Sequence, residues 1–168
     1  MNSRKSQIQT QIFVYVIAVV VFSFIIIYGY NAVRGFKERS DQIAYIKFKT
    51  DLLSTVKRIS PDYGTVKREE FFIGGEYSKV CFVQNYKPNK AQILNSIDDV
   101  SGDLIVKNSV ESDVNKNVFL FTTTLQESFD VGAINVSGDG YTCVDIKNGK
   151  AKIQFKGEGD HTYISNWG

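Results

Sequence analysis

The chain opens on an unbroken apolar stretch and then changes period twice. No charged residue occurs between Lys5 and Arg34, and Ile12 to Tyr28 reads IFVYVIAVVVFSFIIIY, with Ser23 as its one small hydroxyl. With Gly29 and Tyr30 the stretch is about 19 residues, which as a helix is about 28 Å long and crosses a bilayer core. It is rich in β-branched and aromatic residues, but strands reach only about ten residues, so its length favours a helix. Tyr28 and Tyr30 sit where interfacial aromatics belong. The run is longer than the apolar core of a secretory signal, and no small-x-small cleavage pattern follows it. A retained transmembrane helix over residues 12–30 is therefore expected, preceded by a basic and Gln-rich leader at 1–11.

Helical periodicity continues over residues 31–60. Tyr45, Phe48, Leu52, Val56 and Ile59 recur three or four apart, and Ile43, Ile46 and Leu53 are read as widening that face. Ser60-Pro61 stops the helix and Pro61-Asp62-Tyr63-Gly64 reads as a turn. Anchor and extension together predict one helix of about 48 residues, or about 70 Å.

From Thr65 the period becomes two. Thr65–Ile73 and Tyr77–Val83 read as strands joined by a Gly74-Gly75-Glu76 hairpin loop. Tyr141–Lys147 and Lys150–Lys156 flank Asn148-Gly149, the pair preferred by a type I′ hairpin turn. Val118–Thr122 and Ala133–Val136 are shorter strands, and His161–Ser165 is read as an edge strand. Lys87–Lys116 reads as loop with a helical turn near Gln92–Ser96. The expected fold class is α+β: a long N-terminal helix whose amphipathic half covers an antiparallel β-rich domain at residues 65–168.

Composition sharpens this picture little until it is divided along the chain. The 168 residues carry 20 Lys+Arg and 18 Asp+Glu, for a net charge of +2. Arg4 and Lys5 account for the whole excess, so the part beyond Asn31 balances 18 against 18 and gives no reason to expect a nucleic acid. An RNA-binding sheet would need exposed aromatics among basic residues, whereas Phe71, Phe72, Phe82, Phe119, Phe121, Phe129 and Phe155 read as core.

The residues that carry chemistry are few. Cys81 and Cys143 each fall in a predicted strand and read either as one disulfide or as two buried thiols. Asn135-Val136-Ser137 is a sequon that marks Asn135 as a glycosylation candidate if this part of the chain is exported. His161, the single histidine, has no catalytic motif around it and reads as a surface residue. Asp98, Asp99 and Asp103 miss the calcium-loop spacing and read as a solvated acidic turn. No catalytic residue, metal site or cofactor is expected, and no enzymatic activity. Orientation stays open on charge: basic residues after the span outnumber those before it, which favours an inside C-terminal domain, whereas the cysteines and the sequon permit an exported one.

The N-terminus carries a resemblance. Arg4-Lys5-Ser6, then Gln7-Ile8-Gln9-Thr10-Gln11, then the apolar run, resembles the class III signal peptide of archaeal type IV pilin-like proteins. There a prepilin peptidase cuts a short basic leader after a small residue, usually Gly or Ala. The resemblance places the processing site between Ser6 and Gln7, with Gln9 and Gln11 where the family more often has Ser and Glu. The remainder resembles small uncharacterised archaeal membrane proteins of the same layout, which implies no activity. The resemblance implies a single-pass membrane protein with its C-terminal domain extracytoplasmic. Its function would be that of a structural subunit of a cell-surface filament or its assembly system, helix in the core and β domain outside. Its partners would be membrane lipid, other copies through the N-terminal helix and, if processed, a prepilin peptidase. The alternative is a non-polymerising, signal-anchored extracytoplasmic binding domain.

Overall fold

A computed structural model describes residues 3–97 and 103–167, with side chains described at 12–36, 39–97 and 103–167. The chain divides into two compact units, residues 1–40 and 41–168. Helix α1 spans Ser3–Ile59 and contributes to both. In the first unit its described large apolar side chains are exposed. Phe13, Phe22 and Ile25 are more than 60% exposed, and the most apolar 18-residue window has a mean hydropathy of 2.8 with none of it buried. A helix that is apolar all round and unpartnered in water has the composition of a membrane span.

The second unit begins with the rest of α1. Ala44, Phe48, Leu52, Thr55, Val56 and Ile59 are buried. Ile43 and Ile46 are not part of that face: they are 66% and 61% exposed. At 3.6 residues per turn they and Thr50 fall on the flank away from Phe48, Leu52 and Val56, a distinction that counting apolar residues missed. Lys57 and Arg58 sit in the last turn, where cations complement the helix dipole. The chain then turns at Pro61, and the Gly64 amide donates to the Gly157 carbonyl at 2.8 Å.

Among the described residues eight strands and two short helices follow: β1 Val66–Phe72, β2 Lys79–Val83, α2 Lys90–Ser96, α3 Leu104–Glu111, β3 Val118–Phe121, β4 Leu125–Phe129, β5 Ile134–Val136, β6 Tyr141–Asp145, β7 Lys150–Gly157 and β8 Thr162–Asn166. They form two four-stranded sheets, ordered β1-β7-β8-β5 and β4-β3-β2-β6. All pairings are antiparallel except β5 with β8, which is parallel. The α+β class stands, with a helix packed on a mixed β domain.

Both expected hairpins are corrected. β1 pairs with β7, not with β2, so Gly74-Gly75-Glu76 carries the chain from one sheet to the other. Asn148 and Gly149 do adopt positive φ, at 54° and 72°, as a type I′ turn requires. The strands they join nevertheless share only a Lys147–Lys150 bridge before parting into different sheets. The turn chemistry is local and was legible. The pairing is decided by burial, because Ala151, Ile153 and Phe155 on β7 and Phe71 on β1 share the core under α1. The strand near His161 is β8, which lies inside its sheet between β7 and β5 rather than at an edge. The helical turn expected near Gln92–Ser96 is α2, capped by the Asn89 side chain, and the segment expected to be loop beyond it also contains α3.

The main core lies between α1 and the inward faces of both sheets. Phe48 meets Phe71 and Phe129 edge-on at 5.7 and 6.1 Å, and Phe71 meets Phe155 at 5.8 Å. The buried Thr162 hydroxyl donates to the Val56 carbonyl at 3.0 Å, tying β8 to the helix. A second cluster, with Ile93, Val106, Phe119 and Phe121, fills the space between the other face of the second sheet and α2 and α3. β3 is therefore buried on both faces, which explains its uninterrupted VFLF run. The first sheet has one face on the core and one in solvent, and Phe72 points to the solvent side at 56% exposure instead of joining the core.

Candidate functional site

The expected processing site, Ser6 and Gln7, lies within the backbone span of α1 but outside the described side chains. What the described residues define is the surface that follows. Ile43 and Ile46 project from the α1 flank away from the sheets, three residues apart, with the Thr50 hydroxyl turned back to the Ile46 carbonyl at 2.9 Å. A helix that only covered a sheet would carry polar residues there. Two exposed isoleucines one turn apart have the spacing of a helix-docking ridge. A helical-wheel placement, rather than a count of apolar residues, was the signal that distinguishes them.

Cys81 and Cys143 stand directly opposite each other on β2 and β6 and are joined by a disulfide. Cys81 is fully buried, and Cys143 borders a polar cluster. The Tyr141 hydroxyl donates to Asp103 at 2.9 Å and lies 3.1 Å from the Cys143 sulfur, while Lys79 pairs with the other Asp103 oxygen at 2.8 Å. Asp103 is 3% exposed, so it is no solvated turn residue; Asp98 and Asp99 lie outside the described residues. Burial, and then the neighbouring Asp103 carboxylate, push the Tyr141 phenol well above its ordinary range. The cluster thus holds a neutral phenol between a paired carboxylate and the disulfide, fastening the start of α3 to the second sheet. It contains no nucleophile activated by a base.

His161 is also more constrained than its sequence context implies. Its ring stacks on Tyr86 at 4.0 Å and 9°, and Nδ1 lies 2.6 Å from Asp160 Oδ1. The Tyr86 hydroxyl donates to the second Asp160 oxygen. The Tyr86 hydrogen bond, and then that of His161, lower the Asp160 carboxyl below its ordinary value. The side chain of His161 is only 13% exposed, so the surface assignment is corrected: it pins the segment after β2 to the turn between β7 and β8.

Comparison of the chain with protein-family models, with curated proteins and with solved structures finds no match.

Asn135 occupies the middle of β5, opposite Tyr163 of β8, and its Oδ1 accepts from the Val136 amide at 2.8 Å. It is half-buried and faces the solvent side of the first sheet, opposite to Ile134 and Val136. No group of three or more His, Cys, Asp or Glu side chains converges on a metal position among the described residues.

Proposed function

We propose that the chain is a membrane-anchored, pilin-like structural subunit, in which the N-terminal helix spans the bilayer and associates with other copies while the β domain lies outside the cell. The observation that carries this reading is the exposed Ile43 and Ile46 ridge on α1, outside the span and away from the core. Neighbouring helices would cover it and remove about 1.5–3 kcal/mol worth of exposed apolar surface per isoleucine from water. The span itself supports lipid as the first partner. The basic leader supports processing by a prepilin peptidase, with Arg4 and Lys5 held on the cytoplasmic side until the cut. After cleavage between Ser6 and Gln7 the helix is apolar almost from its first residue, which suits bundling with small interhelical gaps. The reading places the disulfide-bonded domain in an oxidising compartment, where such bonds persist.

Incorporation of the photocrosslinker p-benzoylphenylalanine at Ile46 in intact membranes tests the assembly. Illumination is expected to give a ladder of multiples of the chain mass. A monomer band alone would favour the non-polymerising anchored binding domain. The feature that favours that second reading is the open face of the first sheet.

A further inference from the structure

The solvent face of the first sheet separates charges that balance along the sequence. Alternation on β1 and β7 puts Arg68 and Glu70 beside Lys150, Lys152, Gln154 and Lys156. Tyr163 and Ser165 of β8 extend the same face, opposite Lys156 and Gln154. Glu70 pairs with Lys150 at 2.6 Å, and Glu158 pairs with Lys156 at 2.7 Å. Glu70 also faces Lys152, its partner in the β1–β7 register, so one carboxylate serves two lysines, and Arg68 is in no ion pair among the described residues. Arg68 and Lys152 are both held over the Trp167 ring, at 5.8 and 5.5 Å from its centroid. Gln154 fixes the Arg68 guanidinium further by accepting from Nε at 2.8 Å. Where β6 and β7 part, this face continues into a hollow of about 460 Å³. Lys147, Asn148, Lys150, Lys152 and Asn166 line it, against Glu70 and Asp145.

We infer that this face binds an acidic polysaccharide, with a sugar carboxylate received by Arg68 and Lys152 and hydroxyls by Gln154, Ser165 and the amides of the hollow. A preorganised guanidinium beside an ammonium matches a carboxylate, and the row of amide and hydroxyl groups matches a chain of alcohols. The charge density selects the polymer. Four cations, Arg68, Lys150, Lys152 and Lys156, against Glu70 and Glu158 leave an excess of two, which suits carboxylates spaced along a sugar chain, whereas a nucleic acid needs a cation for each of many closely spaced phosphates. A single strand also needs free aromatic faces for its bases, and here the Trp167 ring is already taken by Arg68 and Lys152. This inference does not rest on filament formation.

Full-length protein in zwitterionic-lipid nanodiscs, presented to immobilised polygalacturonate, dextran and single-stranded oligo-dT, tests it. Polygalacturonate is expected to bind, dextran not to bind, and oligo-dT to bind more weakly. Raising the salt to half molar should weaken the complex, as exposed charges are screened. Lys152→Glu and Trp167→Ala should each raise the Kd about tenfold or more, and Lys152→Gln by less. Lys116→Glu, a lysine off this face, should leave it unchanged. All four variants change side chains outside the core, and an unaltered unfolding transition confirms that loss of binding is not loss of fold. Tighter binding to oligo-dT would assign the face to nucleic acid and overturn the inference. Equal binding to dextran, no binding to polygalacturonate, or Lys152 variants that bind like wild type would overturn it as well.

Discussion

Replacing Cys81 and Cys143 together by alanine is expected to lower the unfolding free energy of the β-rich unit by about 4 kcal/mol. The bond joins residues 62 positions apart, and in the chain-entropy account a loop of that size constrains the unfolded state by about this amount. The folded state adds to the loss. Cys81 is fully buried in the cluster that also holds Phe119 and Phe121, so removing its sulfur leaves an unfilled space. The Tyr141–Asp103–Lys79 cluster is expected to survive in the native state, because none of its bonds needs the disulfide. Urea unfolding of the full chain in neutral detergent, followed through Trp167, the only tryptophan, gives the measurement. A loss below about 1 kcal/mol would show that the loop constraint is absent from the unfolded chain.

Gly157→Ala is expected to cost about 3 kcal/mol or more, although it adds a single methyl group. A Cβ at this position would stand 2.2 Å from the Asp62 carbonyl oxygen and 2.3 Å from that of Ile59, at the end of α1. Neither contact can be relieved by a side-chain rotation, because both are main chain. Nor can the strand retreat: the Gly157 amide donates to Thr65 at 2.9 Å and its carbonyl accepts from Gly64 at 2.8 Å. Accommodating the methyl group means moving the helix end off β7 and breaking these bonds. Gly75→Ala, where a Cβ meets nothing within 4 Å, should change stability by less than about 0.5 kcal/mol. Thermal unfolding of the two variants beside wild type makes the comparison, and equal transitions would contradict the close approach of α1 and β7.

These two sites differ in how far the sequence exposed them. Two cysteines in predicted strands already raised a disulfide, because residue type and local period are local signals. Gly157 gave no such signal, since its need for space comes from a helix end about 100 residues earlier, a relation that no local pattern records. The same division runs through the fold. The long helix, its stop at Ser60-Pro61 and the turn at Asn148-Gly149 follow from periodicity and turn chemistry. The partnering of β1 with β7 and the split into two sheets do not, because they depend on which buried faces meet. α3 was missed because only Val106 of its eight residues is buried, which leaves little periodicity to detect. In the candidate surfaces the missing step was geometric. Ile43 and Ile46 are apolar in any reading, but only their angle around α1 separates them from Phe48 and Leu52. Likewise Arg68 and Lys152 lie more than eighty residues apart and become neighbours through the β1–β7 register.

The central claim is that the chain is a processed subunit, with its basic leader removed before the helix takes part in assembly. The intact mass of the protein extracted from its native membrane tests this most directly. The account predicts a chain that starts at Gln7 and lacks Arg4 and Lys5, with the disulfide-bonded mass for the rest. A chain that retains residues 4–6 would contradict it and leave an uncleaved signal anchor.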